Sequence, residues 1–106
     1  MAKVRWRKKA LDDLDRLDQW REDDLNLPPI GPAILMLVDE YFGKMDLQHV
    51  LPGVPVDLGE QTDIRLLLVP IGRSDPYKVF FRVLGEDGVC EIRRIRHPRQ
   101  KPLKKP

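Results

Sequence analysis

From Ala10 to Met45 the apolar residues recur at steps of three and four, whereas from Ile64 to Ile95 they alternate or gather in β-branched and aromatic blocks. The first spacing belongs to helices buried along one stripe, the second to strands. A chain that is helical first and strand-forming afterwards falls in the α+β class, with its helices on one face of an antiparallel sheet. One short segment precedes this division. Val4 and Trp6 alternate with Lys3, Arg5 and Arg7, which predicts a first strand.

The punctuation sharpens the elements. Ala10, Leu11, Leu14, Leu17 and Trp20 mark one face of a first helix, and Asp12, Asp13, Asp15 and Asp18 decorate the other face. Three prolines and a glycine in Asn26–Pro32 cannot sit inside a helix and make the turn. Ile30, Ala33, Ile34, Leu37, Val38, Tyr41, Phe42 and Met45 then give a second helix, ending near Gly43, so the two form a helical hairpin. Asp46–Thr62 reads as a loop long enough to need packing or a task. Strands follow at Ile64–Ile71, Tyr77–Leu84 and Val89–Ile95, the last two joined by a Gly85–Gly88 hairpin turn. Pro70 belongs at an edge or a strand end.

At 106 residues the chain has room for one domain, and 42% hydrophobic with 34% charged residues is a globular mixture. No apolar run reaches the roughly 18 residues of a membrane span, and the charged N-terminus lacks a signal-peptide core, so a cytoplasmic setting is expected. The net charge of +2 conceals segregation. Seven acids lie between Asp12 and Asp24, while seven bases and no acid lie between Arg93 and Pro106. The basic end, expected to be mobile from about residue 98, suits an anionic or acidic partner. Cys90, the single cysteine, excludes an internal disulfide and is expected to be a buried strand residue. His49 and His97 stand far apart with no acid beside either, so no metal site is expected; nucleotide-binding signatures are absent as well.

The remaining chemistry lies in Arg65, Arg82, Arg94 and Arg96, in or beside strands, and in His97. Guanidinium groups bind phosphate bidentately and a histidine moves protons near neutral pH. Such a set can act on a phosphodiester or grip an acidic partner. Paired instead with Asp12, Asp13, Asp57 or Glu91, the same arginines would simply hold the fold.

Three segments, in this order, resemble the RelE/ParE toxin superfamily. The opening VRWRKKALDDLDRLDQW resembles its strand running into an Ala-x-x-Asp-Leu helix, matched by Ala10, Asp13 and Leu14. LPGVPVDLGEQTDIRLLLVP is similar to the Pro- and Gly-bearing loop leading to a strand with one arginine, here Arg65. YKVFFRVLGEDGVCEIRRIRHPRQKP is similar to the closing hairpin and its basic end. The resemblance runs from Val4 to Pro102 and is greater to the ParE branch, because ribonuclease members carry a tyrosine near the C-terminus and none follows Tyr77 here.

That resemblance implies a type II toxin that inhibits DNA gyrase, uses no cofactor and is neutralised by a cognate antitoxin. Arg65, Arg93, Arg94, Arg96, His97 and Arg99 would contact the target. Leu11, Leu14, Ile34, Val38 and Phe42 are expected against the sheet, leaving Leu17, Trp20, Tyr41 and Leu47 for the antitoxin. The alternatives are a RelE-like ribosome-dependent mRNA endoribonuclease, with Arg65 and Arg96 on the scissile phosphate and His97 as acid or base, and a non-toxic binding module that keeps the fold.

Overall fold

A computed structural model describes residues 3–45, 52–57, 63–70, 76–84 and 88–98. The elements run β1 (Val4–Trp6), α1 (Lys8–Leu25), α2 (Gly31–Gly43), β2 (Val54–Pro55), β3 (Arg65–Val69), β4 (Tyr77–Leu84) and β5 (Val89–Arg96). Both helices pack on one face of a single five-stranded sheet of order β1-β5-β4-β3-β2. As the alternation predicts, β4 and β5 are antiparallel hairpin partners, and β3 joins the other side of β4.

Two features correct the expected all-antiparallel sheet of three or four strands. β1 runs parallel to β5, with Val4 opposite Cys90 and Trp6 opposite Ile92, so the sheet is mixed. The helical hairpin carries the chain over one face from β1 to β2 at the opposite edge, and β3, β4 and β5 then return strand by strand until β5 lies beside β1. The second correction is β2, two exposed residues inside the expected loop, paired with Leu66 and Arg65. Gly53, just before it, has φ +76°, and a Cβ there would lie 2.3 Å from the Leu66 carbonyl oxygen. Only glycine lets the chain approach β3 so closely.

The core between helices and sheet draws Ala10, Leu14 and Leu17 from α1, Ile34, Val38 and Phe42 from α2, and Val79, Phe81, Ile92 and Ile95 from the sheet. Phe42 and Phe81 meet across that interface with ring centroids 4.7 Å apart. Burying a side chain of this size stabilises by about 1.5–3 kcal/mol. Leu11, expected in this core, is exposed and Leu17 occupies the place; the buried stripe runs through Ala10, Asp13, Leu14 and Leu17. On the opposite face, Ile64 and Phe80 form a second, smaller cluster with Val56 and Leu66 against them.

Polar groups fix how the layers meet. α1 stops at Asn26, whose left-handed conformation (φ 50°) is one that asparagine tolerates. Ile30 cannot cap α2 with its own side chain. Asp18 of α1 supplies the cap, its Oδ1 accepting the N–H groups of Ile30 and Gly31 at 2.7 Å each. The Trp6 indole N–H donates to Asp39 of α2 at 2.7 Å, tying β1 to the second helix.

The sheet edge needs a further device where β1 turns into α1. The Arg7 N–H still donates to the Ile92 carbonyl at 3.0 Å, but beyond it β5 loses its β1 neighbour. Asp13, expected on the polar face of the first helix, is instead 6% exposed on its buried stripe, because it fills this gap. Its Oδ2 accepts the Ile95 N–H at 2.9 Å and the Arg94 Nε–H at 2.8 Å, and its Oδ1 accepts from the other arm of Arg94 at 3.1 Å.

Candidate functional site

Four of the candidate residues stand in a row at the end of β5. A register shift against Phe80 and Phe81 of β4 places Arg93 outside the regular pairing, so Ile92 faces Phe81 while Arg94 faces Phe80. Arg93 donates to Glu91 at 2.7 Å. Arg94 is engaged by Asp13. These two arginines therefore hold buried carboxylates, the role their pairing with Asp13 and Glu91 would assign them. Arg96 pairs across the sheet with Lys78. Burial first, and the adjacent Arg94 second, lower its pKa, while Asp13 acts the other way. Cations are thus crowded at this end of the sheet.

His97 points to the helix side, as expected one residue beyond Arg96 on an alternating strand. Its ring lies edge-on between Trp20 of α1, at 4.9 Å, and Tyr77 of β4, at 5.3 Å. The lack of a tyrosine after Tyr77 gives no hint that Tyr77 itself meets His97. The strand register brings it to His97 from the far end of the hairpin, which no spacing along the chain could reveal.

Arg65 stands apart from this group. It pairs with Phe81, a residue of the helix-side core, whereas Arg96 pairs with Lys78, which shares the other face with Phe80. Arg65 and Arg96 are therefore on opposite faces. They are also separated by about 10 Å along the strands and about 10 Å across them. The Arg65 Nε–H donates to the Pro52 carbonyl at 2.9 Å, and its Nη2 to the Gly53 carbonyl at 2.9 Å, so this guanidinium fastens the β2 approach to β3.

The residues expected to meet a partner protein divide similarly. Leu17 is 3% exposed within the core and offers no surface, and Trp20 is half-buried against His97. Tyr41 is 42% exposed and lies on α2 with Leu37 (40%) and Met36 (70%). Positions 37 and 41 are one helical turn apart, so Leu37 and Tyr41 make an exposed apolar pair on α2, while Met36, adjacent to Leu37 in sequence, lies about 100° away around the helix. Met36 was not singled out by the sequence reading, because one isolated apolar residue carries no periodic signal. Leu47, Arg99 and His49 lie outside the described residues.

Among the described residues no group of three His, Cys, Asp or Glu side chains could hold a metal ion, and no helix is long and apolar enough to cross a membrane. Cys90 is fully buried, as expected. Burial above all, then Asp39 and Glu91, push its thiol from 9.0 up to about 12. The native protein should therefore resist thiol reagents at pH 8 and react only at its unfolding rate. The unfolded thiol ionises first, so Cys90 lowers stability as pH rises from 9.0 toward about 12. Labelling within the mixing time of a native sample would contradict this.

No family model matches the chain, and no curated protein matches it significantly. Among solved structures it is similar to a chain of a chromosomal ParDE TA system from P. aeruginosa, with 24% identity, TM-score 0.60, and coverage of 91% of this chain and 95% of that one. A chain of the intact E. coli RelBE toxin–antitoxin complex also aligns, at 15% identity and TM-score 0.46, over 94% and 100%.

Proposed function

We propose that this chain, which has the RelE/ParE-type fold, is the toxin of a type II toxin–antitoxin pair and acts in the ParE manner, on DNA gyrase. The observation that carries the reading is the likeness to the ParDE chain over nearly the whole length of both. Two features support a ParE-like over a RelE-like action. A nuclease built on Arg65, Arg96 and His97 needs them around one phosphate, and Arg65 and Arg96 lie on opposite faces. Tyr77, the tyrosine beside His97, is buried to 1% exposure beneath the sheet's helix side.

The exposed apolar pair Leu37 and Tyr41 on α2 is where the antitoxin docks in this reading. Exposed apolar and aromatic side chains on a rigid helix suit a segment that orders on binding. The purified protein is expected to block supercoiling by gyrase in vitro, and the antitoxin encoded beside it to restore supercoiling. The double variant Leu37→Asp/Tyr41→Asp should weaken antitoxin binding by about 100-fold or more. It should still block gyrase. Unimpaired supercoiling together with specific mRNA cuts, mapped by primer extension after induction, would establish the endoribonuclease instead.

A further inference from the structure

Along the chain the run KVRWRKK reads as a strand leading into a helix start. In the fold it has a shape. Where β1 runs into α1, Arg5, Trp6, Arg7, Lys8 and Lys9 line a cleft of about 540 Å³ with Arg93 of β5. Five cations from three elements thus converge on one concavity. The register accounts for it: Val4 and Trp6 pair with the core residues Cys90 and Ile92, so Arg5 shares the face away from the helices with Glu91. The displaced Arg93 reaches the same place.

Glu91 is the acid at this site, and it is already spoken for. It is 4% exposed, accepts from Arg93 at 2.7 Å and faces Arg7 at 3.8 Å. It orients two guanidinium groups without neutralising Arg5, Lys8 or Lys9. No acid stands in the first turn of α1 either. The cleft is therefore rigid on one wall, strongly positive, and open to solvent through exposed Arg5, Lys8 and Lys9.

We propose that this cleft grips the phosphate backbone of a nucleic acid strand, without reading its bases. Lysines are depleted in protein–protein interfaces and cations enriched where phosphates bind, which favours a nucleic acid over an acidic polypeptide. The apolar surface fitted to a protein partner is elsewhere, on α2. The inference rests on the cleft alone and is independent of the toxin reading.

The test is fluorescence anisotropy of the full chain with a labelled single-stranded DNA of about 20 nucleotides in about 50 mM salt. DNA is chosen because no ribonuclease activity would consume it. Binding is expected to weaken linearly on a log–log salt plot. Arg5→Gln/Lys8→Gln/Lys9→Gln should reduce affinity at least about tenfold and the salt slope by about 2–3. Lys44→Gln, in an exposed pair with Glu40 on α2, should change neither. Lys8→Glu/Lys9→Glu, which leaves β1 and the Glu91 contacts intact, should weaken binding as well. Circular dichroism verifies that each variant is folded. The proposal is overturned if the DNA does not bind, if the neutralised variants bind it unchanged, or if poly-glutamate of equal charge displaces it at lower concentration than unlabelled DNA does.

Discussion

Replacing Asp13 by alanine is expected to cost the fold about 3 kcal/mol, measured as the loss of unfolding free energy in urea. The change leaves the Arg94 guanidinium without its carboxylate and the Ile95 N–H without an acceptor, at a strand edge that β1 no longer covers. Removing one partner of a buried pair costs about 3–5 kcal/mol, and the partial exposure of Arg94, 25% for its side chain, places the expected loss at the lower end. Against a total stability of about 5–15 kcal/mol this is a large share. Asp13→Asn keeps an oxygen for the Ile95 N–H but loses the charge, so its cost should be intermediate. In a double-mutant cycle with Arg94→Met, the coupling should exceed about 1 kcal/mol. A loss below about 1 kcal/mol for Asp13→Ala would mean that water or a rearranged edge serves these donors equally well.

A chain ending after Pro98 is expected to lose growth inhibition while its thermal midpoint stays within about 3 °C of the intact protein. The cut removes Arg99, expected to contact the target, together with Lys101, Lys104 and Lys105 of the basic end, and leaves every described element whole. A cut after Ile95 is a different experiment. It also removes His97 from between Trp20 and Tyr77, uncovering a ring that is now 1% exposed. Two edge-on aromatic contacts and the lost burial amount to about 2 kcal/mol, or roughly 10 °C in the midpoint. Loss of toxicity after that second cut would not separate a missing tail from a loosened fold; the first cut does. A fully toxic 1–98 protein would remove the tail from target binding.

The limits of what could be read from the sequence follow from the kind of information each signal holds. Spacing at three and four located both helices, and Asn26–Pro32 separated them, because these are local constraints. The β4–β5 hairpin was legible for the same reason. Alternation in Val4–Trp6 revealed a strand but could not carry its direction, so the parallel pairing with β5 emerged only with the fold. β2 had no signal to give, being two exposed residues that include a proline. Leu11 and Leu17 both fit an apolar helix stripe, and only the position of the sheet decided which was buried. At the candidate site, residue type was legible and partnership was not. Nothing along the chain shows that Arg94 belongs to Asp13, that His97 sits beside Tyr77, or that Arg65 is devoted to the carbonyls of Pro52 and Gly53.

The pairing of β1 with β5 also sets when the molecule can exist. During synthesis the helical hairpin leaves the ribosome long before the strand that will sit between β1 and β4. At about 5–20 residues per second, several seconds pass in which Leu14, Val38 and Phe42 have no finished sheet to rest on. Joining the first strand to the last also makes this a topology of distant contacts, which closes slowly even once the chain is complete. Until β5 is made, the apolar residues of the hairpin segment have no completed sheet to cover them, and the described architecture closes only with that strand.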